Sequence, residues 1–286
     1  MTCPVCGAGA AAPRYRFAAY VVHACPVCGS GFRVPLADPA TEAARYDEGY
    51  FAAWGGPGAE PDETVRRMKR ATFAALLQRL PAARPGDRLL DVGCATGFLL
   101  EEARDRGWQP SGIERSAWAA GIARRALGDA AVHVGDLADA PFPAGTFSVV
   151  TLVDVLEHLP DPAGALARVA ALLRPGGAAV VVTPSLASWS RRILGRGWPH
   201  FKEEHLWYLT PRSLDALAER GGLVRTGGGV MVKRMTVAYV VRQLEAYPRR
   251  LVTPLARLVR AICPPRWRTR PWPAGLGEIR AVYRRG

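Results

Sequence analysis

Two copies of one pentapeptide, Cys-Pro-Val-Cys-Gly, stand at positions 3–7 and 25–29, and no other feature constrains the start of this chain so tightly. Each Cys-x-x-Cys turn presents two thiolates from one loop, and two such turns complete a tetrahedral set for Zn²⁺. The ligands would be Cys3, Cys6, Cys25 and Cys28. Gly7 and Gly29, one after each knuckle, supply the permissive backbone such a turn needs. Of the 18 residues between the knuckles, Tyr15-Arg16-Phe17 and Tyr20-Val21-Val22 read as the arms of a short hairpin. A piece of about 30 residues cannot build its own core, so metal binding must supply much of its folding free energy. Four protein thiolates leave no open position, which makes the zinc structural. His23 is close by, but the ligand set is complete without it. The expectation is a zinc ribbon over residues 1–34.

A stretch rich in Ala, Pro, Gly and aromatics follows, then an expected helix over 62–80 and a breaker-rich boundary at 81–87. Residues 35–86 are thus read as a linker and N-terminal helices. Beyond them strand and helix alternate, which implies an α/β, doubly wound, mostly parallel sheet. The first strand, 88–92, enters Gly93-Cys94-Ala95-Thr96-Gly97 and a helix over 98–106. Glycines at such a turn let backbone approach a ligand at the carboxyl edge of the sheet. The next strand ends in Glu114, 17 residues after Gly97, where a carboxylate can accept from both hydroxyls of a ribose. A third strand leads to Asp136 on the same edge. The fourth, 147–153, delivers Asp154, Glu157 and His158. A helix is expected over 162–173 and a strand over 178–182. Residues 184–210 then carry Trp189, Trp198, His200, His205, Trp207 and Tyr208, a composition suited to an acceptor-binding lid. Trp198 and Trp207 read equally well as core-facing packing residues.

The segment Leu90-Asp91-Val92-Gly93-Cys94-Ala95-Thr96-Gly97, with Glu114, Asp136 and Asp154-Val155-Leu156-Glu157-His158-Leu159, resembles the class I S-adenosylmethionine-dependent methyltransferases. The resemblance runs over roughly residues 40–230 and implies a seven-stranded Rossmann-like sheet. It also implies a cofactor site of Asp91, Gly93, Cys94, Ala95, Gly97, Glu114, Asp136, Leu137 and Asp154. Glu114 would hold the ribose and Asp136 would meet the adenine. Ala95 departs from the pattern, since glycine is more usual there. Trp198, Glu204-His205-Leu206 and Leu209-Thr210-Pro211 are similar to a subgroup that includes the ubiquinone-biosynthesis O-methyltransferases. In that subgroup a tyrosine-rich segment matching residues 46–51 would cover the cofactor, which brings in Tyr50.

Methyl transfer to O or N needs a proton acceptor, and a histidine of near-neutral pKa is a natural one. His205 is the first candidate and His158 the second, His158 reading equally as a packing residue below the cofactor. By the same resemblance Asp154, Glu157 and His158 could hold Mg²⁺ or another divalent metal that orients acceptor oxygens.

Charge bears on the partner. The formal net charge is +13, but residues 231–286 hold 13 basic and 2 acidic side chains, so residues 1–230 are nearly neutral. Arg outnumbers Lys 35 to 3, a bias that a GC-rich genome can produce. A small-molecule acceptor, lipid-like or otherwise, is the leading expectation. Methylation of ribosomal or transfer RNA, with the basic tail on phosphates, is the alternative. A non-catalytic cofactor-binding protein is the third. The basic extension 231–286 carries an amphipathic helix near 251–262 before the last strand, 278–283. That helix packs its apolar face on the domain in the favoured reading and lies on an anionic membrane surface in the other. No apolar run approaches the roughly 20 residues that span a bilayer. Met1-Thr2-Cys3-Pro4 lacks the basic and apolar regions of a secretory signal, so a cytoplasmic location is expected. The oligomeric state is left open.

Overall fold

Runs of Val, Leu and Ile buried on both faces become the parallel strands, and Ala-rich stretches between them become the covering helices. The computed structural model describes residues 1–36, 61–80, 83–246 and 252–286, so Tyr46, Tyr50 and the rest of the tyrosine-rich segment lie outside the described residues. Three short strands, β1 (Ala12–Arg16), β2 (Val21–Ala24) and β3 (Gly31–Val34), make the ribbon as an antiparallel meander. Helix α1 (Glu63–Leu77) follows, with Asp62 as its N-cap accepting from Val65 N at 2.9 Å.

The main sheet is then laid down by β4 (Arg88–Val92), α2 (Phe98–Asp105), β5 (Gln109–Glu114), α3 (Ala117–Leu127), β6 (Val132–Val134), β7 (Phe147–Val153), α4 (Pro162–Leu172) and β8 (Leu173–Pro184). The insertion after it holds α5 (Trp189–Leu194) and β9 (Trp207–Tyr208). Helix α6 (Pro211–Arg220) begins in a capping box of Thr210 and Ser213 and leads to β10 (Leu223–Val230). The C-terminal extension supplies β11 (Lys233–Met235), α7 (Val237–Ala246), α8 (Val252–Ile262), α9 (Pro265–Arg268), β12 (Trp272–Ala274) and β13 (Glu278–Arg285).

The seven-stranded order is β10-β13-β8-β7-β4-β5-β6, parallel from β8 to β6, with β13 antiparallel between β8 and β10. This is the expected doubly wound sheet. The central strand β7 is buried at every position but its last. Because β13 runs against β8, its first residue, Glu278, pairs with Pro184 and so starts at the carboxyl edge.

Two parts of the chain sit differently from a plain reading of the sequence. The ribbon is not a freestanding module: β9, from the insertion, joins it as a fourth strand, pairing Gly31 with Tyr208 and Phe32 with Trp207. Ribbon residues Cys3, Val5, Cys25, Cys28 and Phe32 share one apolar core with Leu206, Trp207, Leu209 and Leu214. The second difference concerns α8. Its favoured reading placed the apolar face on the domain, yet the helix leans on α7 and leaves Leu258, Val259 and Ile262 exposed. Among the described residues no helix is long and apolar enough to cross a membrane.

Candidate active site

The glycine loop between β4 and α2 is held by tight packing. Gly93 and Gly97 have φ of 70° and 88°, and a Cβ on them would lie 2.5 Å from Val155 Cγ2 and 2.9 Å from Ala123 Cβ. Only glycine meets both demands. Ala95, in the position where glycine was expected, also takes a left-handed conformation with φ 49°. Glu114, at the end of β5, is buried, and its two oxygens accept from Ala95 N and Ser116 N, each at 2.8 Å. Burial raises its pKa, while these amides work in the other direction. The carboxylate is thus fixed under the loop, with lone pairs left for a diol. Thr96 Oγ1 in the same loop is buried without a partner.

The other expected cofactor residues divide by placement. Asp136 is nearly half exposed and pairs with Arg115 at 2.6 Å, beside the buried Leu137. Asp91 is buried within β4, accepts from Thr151 Oγ1 at 2.6 Å, and is pushed up to about 7 by burial. Cys94 is buried against Gly112, whose Cβ would come within 2.6 Å of its sulfur. These two support the loop from below and leave its backbone to face a ligand. Together the loop, the anchored Glu114 and the orphaned Thr96 hydroxyl fit a nucleoside-bearing cofactor.

Next to this cradle the edge is charged. Asp154, just past β7, holds φ 56°, a strained value for a residue with a side chain. Lys233 Nζ, from β11, bridges Asp154 Oδ2 at 2.5 Å and Glu278 Oε1 at 2.7 Å. Burial raises the Asp154 pKa, but the Lys233 ammonium overrides it and holds the carboxyl below its usual range. Asp154 Oδ1 is buried and left without a partner. His200 lies 4.0 Å from Glu278, and Tyr239 of α7 and Lys69 of α1 feel the same charges. His200 was named from the sequence only as part of the expected lid, and Lys69, Lys233, Tyr239 and Glu278 were not singled out as site residues, because they come from segments far apart that share no motif.

Histidines form the third part. His205 is buried, packs edge-on against His158 with ring centroids 4.7 Å apart, and has an unpartnered Nδ1. His158 Nδ1 is 3.0 Å from Glu204 O. Burial lowers His158 to about 4 and, with the charge of Lys233, His200 to about 3; burial and His158 take His205 well down. Glu157 is pushed up to about 8 by burial and the Asp154 charge. One ligand atom each from Glu157, His158 and His205 lies within 4.8 Å of the others. The donor set that could grip a divalent metal is therefore this one, and Asp154, drawn off by Lys233, stands outside it. Two imidazoles suit a transition metal better than Mg²⁺.

Trp198 and Trp207 are core residues. Trp198 is fully buried and donates to Ser190 Oγ at 3.0 Å, and Trp207 donates to Leu159 O at 2.7 Å. The insertion that carries them is thus clamped between ribbon and sheet. In the ribbon, Cys3 and Cys28 sulfurs are 3.7 Å apart, as are those of Cys6 and Cys25, and all four lie within 4.8 Å. A tetrahedron with Zn–S of about 2.3 Å has S···S edges of about 3.8 Å, so the four thiols fit zinc closely.

Residues 65–225 match the family model described as a methyltransferase domain. The ubiquinone biosynthesis O-methyltransferase of Alkalilimnicola ehrlichii is 32% identical over 216 residues, covering 66% of this chain and 84% of that protein. Nocamycin O-methyltransferase of Saccharothrix syringae is 43% identical over 119 residues, 37% of this chain and 42% of that one. Among solved structures, geranyl diphosphate C-methyltransferase from Streptomyces coelicolor, in complex with Mg²⁺, geranyl diphosphate and S-adenosyl-L-homocysteine, superposes with a TM-score of 0.52. It is 18% identical and covers 82% of this chain and 87% of its own, a likeness of fold.

Proposed function

The chain belongs to the class I S-adenosylmethionine-dependent methyltransferases, and on that footing we propose that it methylates an oxygen of a small molecule. The observation that carries the reading is the pairing of two features on one edge. The backbone-anchored Glu114 cradle adjoins a buried cluster of ionisable side chains, with Asp154 Oδ1 and His205 Nδ1 unpartnered. Asp154 and Glu278 share the Lys233 ammonium there, an arrangement of close, paired charges that suits a compact polar acceptor. The names of the relatives, which act on oxygen in ubiquinone biosynthesis and on nocamycin, agree with this choice.

In this reading Glu114 accepts from the ribose hydroxyls and the amides of the glycine loop line the cofactor's path. S-adenosylmethionine supplies an electrophilic methyl group on a sulfonium. Burial favours the neutral form of both histidines and so weakens them as bases. Their part is to orient the acceptor oxygen, directly or through a metal held by Glu157, His158 and His205. The ribbon holds structural zinc through Cys3, Cys6, Cys25 and Cys28.

The test is calorimetric titration with S-adenosylhomocysteine, followed by transfer of labelled methyl to a panel of catechols, simple phenols and transfer RNA. Binding near micromolar and transfer to hydroxyl acceptors is expected. Transfer to RNA alone would overturn the small-molecule reading.

A further inference from the structure

Half-buried arginines in this chain are commonly met by a carboxylate. Arg70 pairs with Glu102 at 2.6 Å, Arg115 with Asp136 at 2.6 Å and Arg225 with Asp215 at 3.0 Å. Three others are gathered without one. Arg79, Arg234 and Arg280 line a single cavity of about 100 Å³, walled also by Leu76, Met231 and Val232. Arg234 and Arg280 are half-buried and Arg79 is exposed. Among the described residues, none of these three guanidiniums donates to a carboxylate or a carbonyl or covers an aromatic ring.

Elements that the fold locks together supply them. Arg79 follows α1 in its closing turn, where its N donates to Leu76 O at 3.1 Å. Arg234 of β11 is seated on the same helix, its N donating to Thr72 Oγ1 at 2.8 Å. Thr72, Leu76 and Arg79 are spaced by four and three residues and so share one face. Arg280 lies within the main sheet on β13, between Val182 of β8 and Gly229 of β10. Neither neighbour offsets a charge, since one is apolar and the other has no side chain. A helix C-terminus welcomes a cation, which accounts for Arg79 and leaves the other two unexplained. Burial, then the charge of Arg79, both act against the Arg280 guanidinium, and no acid opposes them. Like charges gathered around a cavity repel one another, and an anion inside it reverses that cost.

We propose that this cavity is an anion site, in which Arg79, Arg234 and Arg280 take one compact oxyanion, a phosphate or a carboxylate. Guanidinium forks match both groups with paired hydrogen bonds. At about 30 Å³ for each water of the liquid, the volume corresponds to about three waters. That is room for one such group and not for a nucleoside. The site is separate from the Glu114 cradle and close to the charged cluster. Glu278 and Arg280 alternate onto one face of β13, about 7 Å apart along the strand, and Lys233 adjoins Arg234 in β11. An acidic group on the methyl acceptor and a free anion are the two sources of this chemistry.

The test follows the thermal midpoint of the full chain against inorganic phosphate, at an ionic strength held constant with chloride, and converts the rise into an affinity. Binding at millimolar concentration or tighter is expected. Arg280→Gln and Arg234→Gln should each weaken it at least about tenfold. Arg284, exposed on the same strand and outside the cavity, supplies the control. Arg284→Gln takes the same unit of charge from a chain of net charge +13 and should leave the affinity unchanged. Without phosphate, Arg280→Gln should melt at or above the unsubstituted chain, because it removes an unopposed cation. No rise with phosphate, or an equal loss in Arg284→Gln, overturns the site. So does a phosphate-free midpoint about 5 °C or more lower in Arg280→Gln, which would mean that the guanidinium already has a partner. Arg234→Gln carries the binding test independently. With acceptors that are turned over, phosphate competing against a carboxylated phenol and not against a catechol would identify the acceptor's own acid as the ligand. Phosphate that leaves both unaffected would identify a free anion. Only this arm rests on the methyl-transfer reading, so failure of every acceptor leaves the site to be decided by binding.

Discussion

Removing zinc should disorder the acceptor side of the site and spare the cofactor side. A structural zinc contributes about 10–16 kcal/mol to folding its module, comparable with the whole stability of an ordinary domain. Residues 1–36 should therefore lose their fold when 1,10-phenanthroline strips the metal, or in the double variant Cys25→Ser, Cys28→Ser. What the rest of the chain loses can be read from the interface. Arg33 N donates to Leu206 O at 2.9 Å, the Arg33 guanidinium donates to Glu203 O, and Thr210 Oγ1 donates to Cys28 O at 3.1 Å. Arg220 donates to Pro4 O and Val5 O at 3.0 and 2.9 Å. The first three of these bonds hold residues 198–210, and at about 0.5–1.5 kcal/mol each they sum to about 1.5–4.5 kcal/mol before the contact of Phe32 with Trp207 is counted. About 3 kcal/mol is a factor of about 150 in the closed-to-open ratio. Amide hydrogen exchange over residues 198–210 should accelerate by at least about a hundredfold. S-adenosylhomocysteine affinity should hold within about threefold, since Glu114 and the glycine loop touch neither ribbon nor insertion in these contacts. Unchanged exchange would refute the coupling, and loss of cofactor binding in step with the metal would show that the zinc holds up the whole fold instead.

Three further outcomes are expected. Glu114→Ala removes the acceptor that meets Ala95 N and Ser116 N and the one offered to the ribose, so calorimetry should show about a tenfold to hundredfold loss of S-adenosylhomocysteine affinity; unchanged affinity would remove Glu114 from the site. Ala95→Gly relieves a left-handed alanine, worth about 1–2 kcal/mol, against about 0.5–1 kcal/mol of added chain entropy, and should raise the thermal midpoint slightly; a lower midpoint would mean that the methyl packs. The exposed Leu258, Val259, Ile262 and Trp267 stand among Arg257, Arg260, Arg266 and Arg270, a pattern complementary to anionic lipid. The chain should co-sediment with phosphatidylglycerol vesicles and not with phosphatidylcholine, and Leu258→Ser with Ile262→Ser should release it. Equal binding of the double variant would leave only the arginines attached to the surface.

How far the site was legible in the sequence depended on how local its parts are. The ribbon ligands and the glycine loop are each read from a few consecutive residues, because a turn fixes its own chemistry. Glu114 was legible because a strand end lies at a set distance from the loop before it. The fit of the ribbon to the insertion was not, since β9 is two residues long and carries no pattern that a strand needs in order to show. His205 was legible as a candidate, but its burial was invisible, and burial bears on whether an imidazole is a useful base. The same holds for α8, where a clean amphipathic stripe said that an apolar face exists and nothing about what meets it.

The charged pocket illustrates a different kind of signal. Lys69, Lys233 and Glu278 sit on three elements separated in sequence by 164 and 45 positions, so no spacing rule could join them. Folding brings them together because β13 runs antiparallel and starts at the carboxyl edge, and because β11 docks on α1. Yet the composition already held a clue, in the ratio of 35 Arg to 3 Lys. An ammonium is a compact charge that can lose its proton, and a guanidinium is neither compact nor able to do so. Lys233 stands where the charge must be compact, 2.5 and 2.7 Å from two carboxylates. In a chain this biased the rare member of the pair is the informative one.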